Sequence, residues 1–234
     1  KRLASFMEET QEDDVSEKNK GAIRREKLGS IEFKDTTYRY PEADLDTLRS
    51  INLSVNEGEK VAILGRNGSG KSTLMKLASG LFKASDGLVM YDGVDIKQLH
   101  TDDLSKSIGI VLQDVQLFSG SIRENITMGR EDINQDDLIN AGKLSGLDDF
   151  VSKIPGGYDL QLSDGGKGLS GGQRQSIALA RAIVHKPTHF ILDEPTSAMD
   201  MNAENIFISQ MGSIMQDSTM LIVTHRMPLL NLVD

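Results

Sequence analysis

Two kinds of hydrophobic pattern divide this chain. Apolar and polar residues alternate at 31–34, 37–40 and 48–55, which is typical of half-solvated antiparallel strands. Short continuous apolar runs predict buried strands at 60–64, 108–112, 189–192 and 220–223. The first part of the chain is therefore expected to be an antiparallel β subdomain, and the remainder to contain a buried sheet.

Helical patterns separate the buried strands. Residues 71–81 and 201–215 are predicted helices, and the stretch from about 115 to 184 is helical almost throughout. Within that stretch the predicted helices are 121–126, 135–144, 147–154 and the long 170–184. Because strands that alternate with helices form mainly parallel sheets covered on both faces, the predicted fold class is α/β with an inserted α-helical subdomain.

A glycine-rich stretch follows the strand predicted at 60–64. It reads Gly-Arg-Asn-Gly-Ser-Gly-Lys-Ser and matches the phosphate-loop pattern G-x-x-x-x-G-K-[ST] in the required strand, loop and helix order. The predicted phosphate-binding residues are Gly65, Arg66, Asn67, Gly68, Ser69, Gly70, Lys71, Ser72 and Thr73. The three glycines are expected to adopt backbone angles closed to other residues, so that consecutive N–H groups surround an anion. Lys71 is expected to reach the β- and γ-phosphates and Ser72 to ligate magnesium, which indicates a P-loop NTPase core.

A second predicted strand ends in two acids, Asp193 and Glu194. By itself, an acidic pair after a strand is most often a solvated strand end. Beside a phosphate loop, the first acid is expected to orient magnesium and the second to hold the attacking water. We therefore predict Asp193 as a metal residue and Glu194 as a general base.

Composition narrows the function classes. The chain has 234 residues, of which 38% are hydrophobic, and this is enough for a sizeable core. A net charge of −9 argues against a nucleic-acid-binding surface as the main function, so no nucleic-acid partner is expected. The absence of cysteine excludes a disulfide framework, and no apolar run approaches the roughly 20 residues of a membrane-spanning helix. A nucleotide is the expected ligand.

The stretch Leu169-Ser170-Gly171-Gly172-Gln173 precedes the long predicted helix. Taken alone, it is a serine cap followed by glycines. Together with the two nucleotide motifs, it resembles the LSGGQ signature sequence in the nucleotide-binding domains of ABC transporters. The resemblance runs from about residue 31 to the C-terminus. It implies the ABC ATPase fold, with ATP and Mg²⁺ as ligands.

The resemblance also implies roles for single residues. Tyr40 matches the aromatic residue that stacks on adenine, with Tyr38 as the alternative. Gln113 matches the Q-loop glutamine, which lies near the metal and water and couples to the membrane domain. Asp200 matches the D-loop, and His225 matches the switch histidine that contacts the γ-phosphate. The implied catalytic residues are Glu194, His225, Lys71 and Gln113, and the implied metal residues are Ser72, Gln113 and Asp193.

The signature residues are expected to act on a second copy of the chain. Ser170 and the amides of Gly171 and Gly172 lie at a predicted helix N-terminus, which favours anions. One chain cannot easily bring them onto its own loop-bound nucleotide, and in the family they come from the opposite subunit. The implied assembly is a head-to-tail homodimer around two ATP molecules, with Ser170, Gly171, Gly172, Gln173 and Asp200 contributing to each site.

Flanking residues resemble exporters, and among them bacterial type I secretion ATPases. Residues 121–126 and the run Gln173-Arg174-Gln175 resemble exporters, and residues 157–160, with Met at 199, resemble type I secretion ATPases. Ser163-Asp164 replaces the Gly-Glu pair of exporters. The resemblance implies ATP-driven export of a protein or peptide, at the cytoplasmic face of the inner membrane. The implied partners are the transmembrane domain of the same transporter and, through it, a periplasmic adaptor and an outer-membrane channel.

The domain boundaries follow from composition. Residues 1–28 are expected to be a partly disordered linker from a transmembrane domain, with Leu3, Phe6 and Met7 clustered at its start. Residues 29–234 are expected to be the nucleotide-binding domain, with a C-terminal end short of the family's closing strands. Three alternatives stay open: a soluble ABC ATPase, a regulatory ABC domain that does not transport, and an exporter of lipids or drugs.

Overall fold

The structure is a computed structural model that describes residues 19–234, apart from the side chains of Asn202 and Ser213. The cluster expected at Leu3, Phe6 and Met7 and most of the expected linker lie outside the described residues. In chain order, the strands are β1 (Ile31–Tyr38), β2 (Leu48–Val55), β3 (Lys60–Ile63), β4 (Asp86–Tyr91), β5 (Val94–Asp95), β6 (Ile108–Val111), β7 (Gly120–Ser121), β8 (Gln161–Leu162), β9 (His189–Asp193) and β10 (Thr219–Val223). The α-helices are α1 (Lys71–Ala78), α2 (Thr101–Ser107), α3 (Ile122–Thr127), α4 (Gln135–Leu144), α5 (Asp148–Val151), α6 (Gly171–Ile183) and α7 (Met201–Ile214). Short 3₁₀ turns lie at Ile96–Gln98, Gly157–Asp159, Asp164–Gly166 and Met227–Leu232.

A parallel sheet forms the centre of the domain. Its strand order is β3-β10-β9-β6, and every residue of β9 and β10 is buried. Alternate residues of β9 pack on opposite sides, with Ile191 in the cluster that contains α1 and Phe190 in the cluster that contains α6. Because both faces are covered, these strands are apolar runs rather than alternating patterns. The prediction of an α/β fold with a mainly parallel sheet is confirmed.

An antiparallel sheet in the order β2-β1-β4-β5 packs beside the parallel sheet. The two predicted strands at 31–34 and 37–40 are one strand, β1, which ends at Tyr38. A bulge interrupts its pairing with β4, and Asp35 there has a φ angle of 47°. A Cβ on the opposing Gly87 would lie 2.3 Å from the carbonyl oxygen of Asp35, so the bulge requires glycine at that position. The break in the apolar and polar alternation is a bulge within one strand and not a turn between two strands. The sequence pattern alone does not distinguish these two cases.

The inserted helical subdomain packs α3 and α4 against α6. Leu138 of α4 and Ile177 of α6 belong to the same fully buried cluster. Two features of this region differ from the prediction. Within the stretch expected to be helical almost throughout, the two-residue strands β7 and β8 pair antiparallel although they lie far apart in sequence, and each is too short to show any alternation. The helix predicted at 147–154 covers only Asp148–Val151, because the residue before Pro155 disfavours the helical conformation.

The segment just before Gly29 packs on the domain. Asn19 exchanges hydrogen bonds with Thr101 at the start of α2, and Ile23 forms a β-bridge with Leu99. The guanidinium of Arg24 lies 2.9 Å from the buried carboxylate of Asp103. Among the described residues, contacts with the domain therefore already occur at Asn19, before the expected start at Gly29.

His189, the first residue of β9, is a buried titratable group in the core. Its Nε2 lies 2.6 Å from the carbonyl oxygen of Gly29, and its Nδ1 lies 3.0 Å from the hydroxyl of Thr188. Burial lowers the pKa of His189 below its ordinary value. Folding therefore favours the neutral form of this imidazole over the charged form.

We expect the free energy of unfolding to fall as the pH decreases from 7.5 to 5.5. Over this interval the unfolded chain takes up a proton at this imidazole, whose ordinary pKa is about 6.5, whereas the folded chain, with its lowered pKa, takes up less. Urea unfolding at the two pH values measures the loss. His189→Gln removes the titrating ring, and the loss in this variant should be smaller, by up to about 1 kcal/mol. Equal losses in the two proteins would contradict this assignment.

Candidate nucleotide site

The glycine-rich loop connects the end of β3 to the start of α1. Gly68 and Gly70 have φ angles of 78° and 89°, in the left-handed region that favours glycine. A Cβ on Gly70 would lie 2.7 Å from Cδ2 of Leu48 and 3.2 Å from the carbonyl oxygen of Thr47, so no larger residue fits. No side chain caps the N-terminus of α1. The first amides of this helix can therefore face an anion.

Gly65 has a different role from the one predicted. Its φ angle is not in the left-handed region, so the expectation of special backbone angles was wrong at this position. A Cβ on Gly65 would lie 3.0 Å from the hydroxyl oxygen of Ser69. The close approach of Ser69 to position 65 therefore favours glycine there.

The loop forms one wall of a cavity of about 560 Å³. The cavity brings together residues predicted to bind phosphate, to ligate metal and to act in catalysis. Its lining residues are Tyr40, Thr47, Asn67, Gly68, Gly70, Lys71, Ser72, Thr73, Gln113, Asp193, Glu194, Val223 and His225. Gly65, Arg66 and Ser69 belong to the loop but do not line the cavity.

The side chain of Lys71 spans the beginning of the loop. Its Nζ donates hydrogen bonds to the carbonyl oxygens of Gly65 and Arg66, each at 2.9 Å. These contacts hold a positive charge beside the open N-terminus of α1. The ammonium group of Lys71 and the first amides of α1 together favour an anionic ligand.

Tyr40 forms the aromatic side of the cavity. Its hydroxyl lies 3.0 Å from Oγ1 of Thr73, and its ring meets those of Tyr38 and Phe82 edge to face. The side chain of Tyr40 is 37% exposed, whereas Tyr38 is 8% exposed and stacks on Phe82. Only Tyr40 of the two lines the cavity, which favours Tyr40 over Tyr38 as the adenine-stacking residue.

Two neighbouring strand ends carry the predicted metal residue, the predicted general base and the predicted switch histidine. Asp193 ends β9, and Glu194 follows it with a φ angle of 51°. The backbone N–H of Glu194 donates to the carbonyl of Val223, the last residue of β10, at 2.9 Å. Beyond β10, Nε2 of His225 lies 3.5 Å from Oε1 of Glu194. The parallel pairing of β9 and β10 therefore sets the carboxylate and the imidazole side by side.

The residues present fit a magnesium ion. Oδ1 of Asp193 is buried and has no hydrogen-bond partner, so a hard cation could satisfy it. Ser72 and Gln113 carry further oxygen atoms on the same cavity. Among the described residues, no three His, Cys, Asp or Glu side chains cluster as a metal cage. Magnesium usually takes one or two carboxylates together with phosphates and water, so a single acidic ligand is sufficient.

Gln113 lies between two hollows. It lines the loop cavity and also a neighbouring hollow of about 270 Å³ shared with Gly171 and Gln175 at the start of α6. Gln113 is thus the one predicted site residue that touches both regions, within the part of the chain that the structure describes.

The signature residues begin α6. Oγ of Ser170 accepts a hydrogen bond from the amide of Gln173 at 3.2 Å, and Oε1 of Gln173 accepts one from the amide of Ser170 at 2.8 Å. This capping box stabilises the helix start whatever else the residues do. A Cβ on Gly171 would lie 3.0 Å from Cβ of Ala198, so the helix start packs tightly on the D-loop, residues 197–200.

The signature residues and the phosphate loop occupy different places on one chain. Residues 170–173 line a hollow of about 340 Å³ together with Met199 and Asp200. None of these residues lines the loop cavity. The structure therefore brings Tyr40, Gln113, Asp193, Glu194 and His225 to the loop, but leaves the signature residues and Asp200 apart from it.

Sequence reasoning missed an ion pair beside His225, between the partly exposed Arg226 and the buried Glu204. Nη1 of Arg226 lies 3.1 Å from Oε2 of Glu204, which is 6% exposed, and Oε1 of Glu204 accepts a hydrogen bond from Thr196. Nη2 of Arg226 donates to the carbonyl of Ser197 at 3.2 Å. This cluster ties the D-loop to the strand end that carries His225. The one sequence signal was an acid on the buried face of the helix predicted at 201–215.

Comparison with known proteins supports the resemblance. The family model of ABC transporters matches residues 48–197. The cyclolysin secretion/processing ATP-binding protein CyaB of Bordetella pertussis is 41% identical over 88% of this chain, which spans 29% of CyaB. The ATP-dependent lipid A-core flippase of Legionella pneumophila is 39% identical over 90% of this chain, which spans 36% of the flippase. A solved structure of a bacterial Atm1-family ABC exporter with ATP bound has a TM-score of 0.81 and 32% identity, over 88% of this chain and 36% of that chain.

The chain thus corresponds to about a third of the length of these relatives. Among the described residues, no helix has both the length and the apolar character needed to cross a membrane. The matched region includes the phosphate loop, the signature residues and the acidic strand end. Its parallel sheet, antiparallel sheet and helical subdomain are those of the structural relative's fold class. The chain therefore belongs to the ABC transporter family, and it is an ATP-binding ATPase domain of that family.

Proposed function

We propose that this domain is the ATP-hydrolysing motor of an exporter and that it works as a head-to-tail dimer. One observation carries the proposal: residues 170–173 and the phosphate loop lie on separate hollows of the same chain. A symmetric pair can bring the signature amides of each copy onto the nucleotide of the other, twice. The helix N-terminus that Ser170 caps is suited to a phosphate.

The cavity supports a division of roles along an ATP molecule. Tyr40 stacks on the adenine, and the loop amides with Lys71 bind the β- and γ-phosphates. Magnesium would be held by Ser72, Asp193 and Gln113. When bound, it neutralises part of the phosphate charge.

Glu194 accepts a proton from a water molecule as that water attacks the γ-phosphorus. The bond between the γ-phosphorus and the bridging oxygen breaks, and ADP and phosphate are released. His225, whose imidazole lies 3.5 Å from the Glu194 carboxylate, keeps the water and the γ-phosphate in register. Lys71 and the amides of the partner's signature helix stabilise the charge that develops on the phosphoryl oxygens.

The export substrate is a protein or peptide in this proposal. The name of CyaB, a secretion/processing ATP-binding protein, supports this class. A lipid is the second candidate, because a lipid A-core flippase is similar to nearly the same degree. The proposed partners are the transmembrane domain of the same transporter, with a periplasmic adaptor and an outer-membrane channel beyond it. The domain, residues 29–234, would then lie at the cytoplasmic face of the inner membrane, with residues 1–28 as its linker.

Tyr40→Ala should weaken ATP binding by about 5- to 100-fold, the range expected for one base stacked on one aromatic ring. Tyr40→Phe is the matched control, because it keeps the ring and removes only the hydroxyl contact with Thr73. Its affinity should stay within about fivefold of the unchanged protein. Calorimetric titration with ATP and magnesium measures both variants. If Tyr40→Ala binds ATP as the unchanged protein does, the adenine lies elsewhere.

Glu194→Gln should bind ATP normally but lose about 10²- to 10⁴-fold in turnover, because the amide cannot take the proton of the attacking water. Single-turnover hydrolysis with excess protein separates this chemical step from binding. Glu131→Gln makes the same substitution at an exposed position away from the cavity and should hydrolyse ATP at the normal rate. Near-normal hydrolysis by Glu194→Gln would refute the general-base assignment.

A mixture of Lys71→Ala and Ser170→Arg proteins tests the dimer. Neither variant alone should turn over, since each homodimer has two defective sites. A head-to-tail mixed dimer has one site with both substitutions and one with neither. Equal mixing should restore about a quarter of the normal activity, because half of the dimers are mixed and each has one working site. Absence of recovery, with mixed dimers demonstrated by two affinity tags, would count against this assembly.

A further inference from the structure

Gln175 is a buried polar residue that the proposed mechanism does not use. It lies on α6, five residues after Ser170, and is 2% exposed. Its Nε2 donates to the carbonyl oxygen of Glu194, and its Oε1 accepts from the amide of Ala198, both at 3.0 Å. One side chain therefore connects the signature helix to the general base and to the D-loop. Because the amide is buried, loss of either bond leaves a polar group without a partner.

The peptide that Gln175 holds is in an unfavourable conformation. With a φ angle of 51°, Glu194 lies in the left-handed region, which costs free energy for any residue with a Cβ. Such a conformation persists where surrounding contacts fix it. The amide of Glu194 is fixed by Val223 of β10, and its carbonyl is fixed by Gln175 of α6. These two bonds determine the direction in which the Glu194 carboxylate leaves the backbone.

We propose that Gln175 is a positioning residue that links the signature helix to the general base of the same chain. The inference rests on the proposed head-to-tail dimer. In that dimer Ser170, at the start of α6, contacts the nucleotide of one site, while Glu194 acts at the other site. A shift of α6 when one site fills is passed by Gln175 to the Glu194 backbone and to Ala198. The two ATP sites are thereby coupled within each chain, without a contact between the nucleotides.

Gln175→Met tests the hydrogen bonds while nearly keeping the length of the side chain. The amide of Ala198 should exchange with deuterium about tenfold faster in this variant, because the bond that protects it is gone. Hydrolysis should fall by about 10- to 100-fold in a single turnover, with ATP affinity within about twofold of normal. Gln161→Met is the matched control, since Gln161 is an exposed glutamine whose side-chain amide donates to the carbonyl of Asp159.

A purely structural role makes a different prediction. If Gln175 only supports the fold, Gln175→Met should lower the melting temperature and weaken ATP binding and hydrolysis together. That result, or unchanged exchange at Ala198, would overturn the proposal.

Two mixed dimers show which site Gln175 serves. In the first, one copy carries Gln175→Met and the other carries Glu194→Gln, so the only intact base belongs to the copy without Gln175. In the second, one copy is unchanged and the other carries both substitutions, so the intact base keeps its own Gln175. Both are prepared with two affinity tags, and phosphate release is measured.

The first mixed dimer should be slower than the second by about tenfold or more. The second should match a dimer that carries a single Glu194→Gln. Equal rates would overturn the proposal, because Gln175 would then not act on the base of its own chain. A slower second dimer would also overturn it, because Gln175 would then act through the signature residues on the other copy's nucleotide. If ATP assembles no dimer, the proposed function fails instead, and deuterium exchange at Ala198 decides the role of Gln175 independently.

Discussion

The parallel register of β3, β10 and β9 sets the positions of the groups proposed to bind and hydrolyse ATP. Ile63, Val223 and Asp193 are neighbours across β3, β10 and β9, so three chain segments leave the sheet at the same level. One becomes the phosphate loop, one carries Glu194 and one carries His225. β9 and β10 keep this register because their side chains are buried on both faces, and a slip by one residue would exchange the two faces. The hydrophobic core thus aligns charged groups that lie far apart in sequence.

The site combines open groups with tightly held ones. The amides at the start of α1 and Oδ1 of Asp193 have no side-chain partner, which suits a phosphate and a cation. Glu194, in contrast, is held in a strained conformation by bonds from β10 and α6. Its carboxylate therefore has a defined direction, as electrostatic preorganisation for catalysis requires. In the proposed mechanism, ligand affinity and reactivity are supplied by different parts of one cavity.

The helical subdomain is bound to the catalytic edge through the D-loop. Gln175 reaches this turn from α6, and Arg226 with the buried Glu204 reaches it from the end of β10. Because Glu204 is buried, removal of Arg226 would leave its carboxylate without a cationic partner, which is costly. The helix start at residues 170–173 is connected through Gln175 to the edge that carries Glu194. In the proposed dimer, the separate positions of residues 170–173 and the phosphate loop let each copy complete the other's site.

The amino-acid sequence by itself determined the local features of this protein. The phosphate loop, the capped signature helix and the buried strands β6, β9 and β10 each depend on consecutive residues, so pattern and composition were enough to predict them. The strand predicted as buried at 60–64 is only partly buried, and Leu64 is exposed. The sequence also indicated the α/β class, because alternating strands and helices have few ways to pack. The bulge at Asp35, the pairing of β7 with β8 and the role of Gly65 in a close approach could not be predicted, since each depends on a neighbour that the pattern does not specify. Gln175 meets Glu194 and Ala198 across 19 and 23 residues of chain, and only the packing of α6 on the sheet brings these groups within hydrogen-bonding distance.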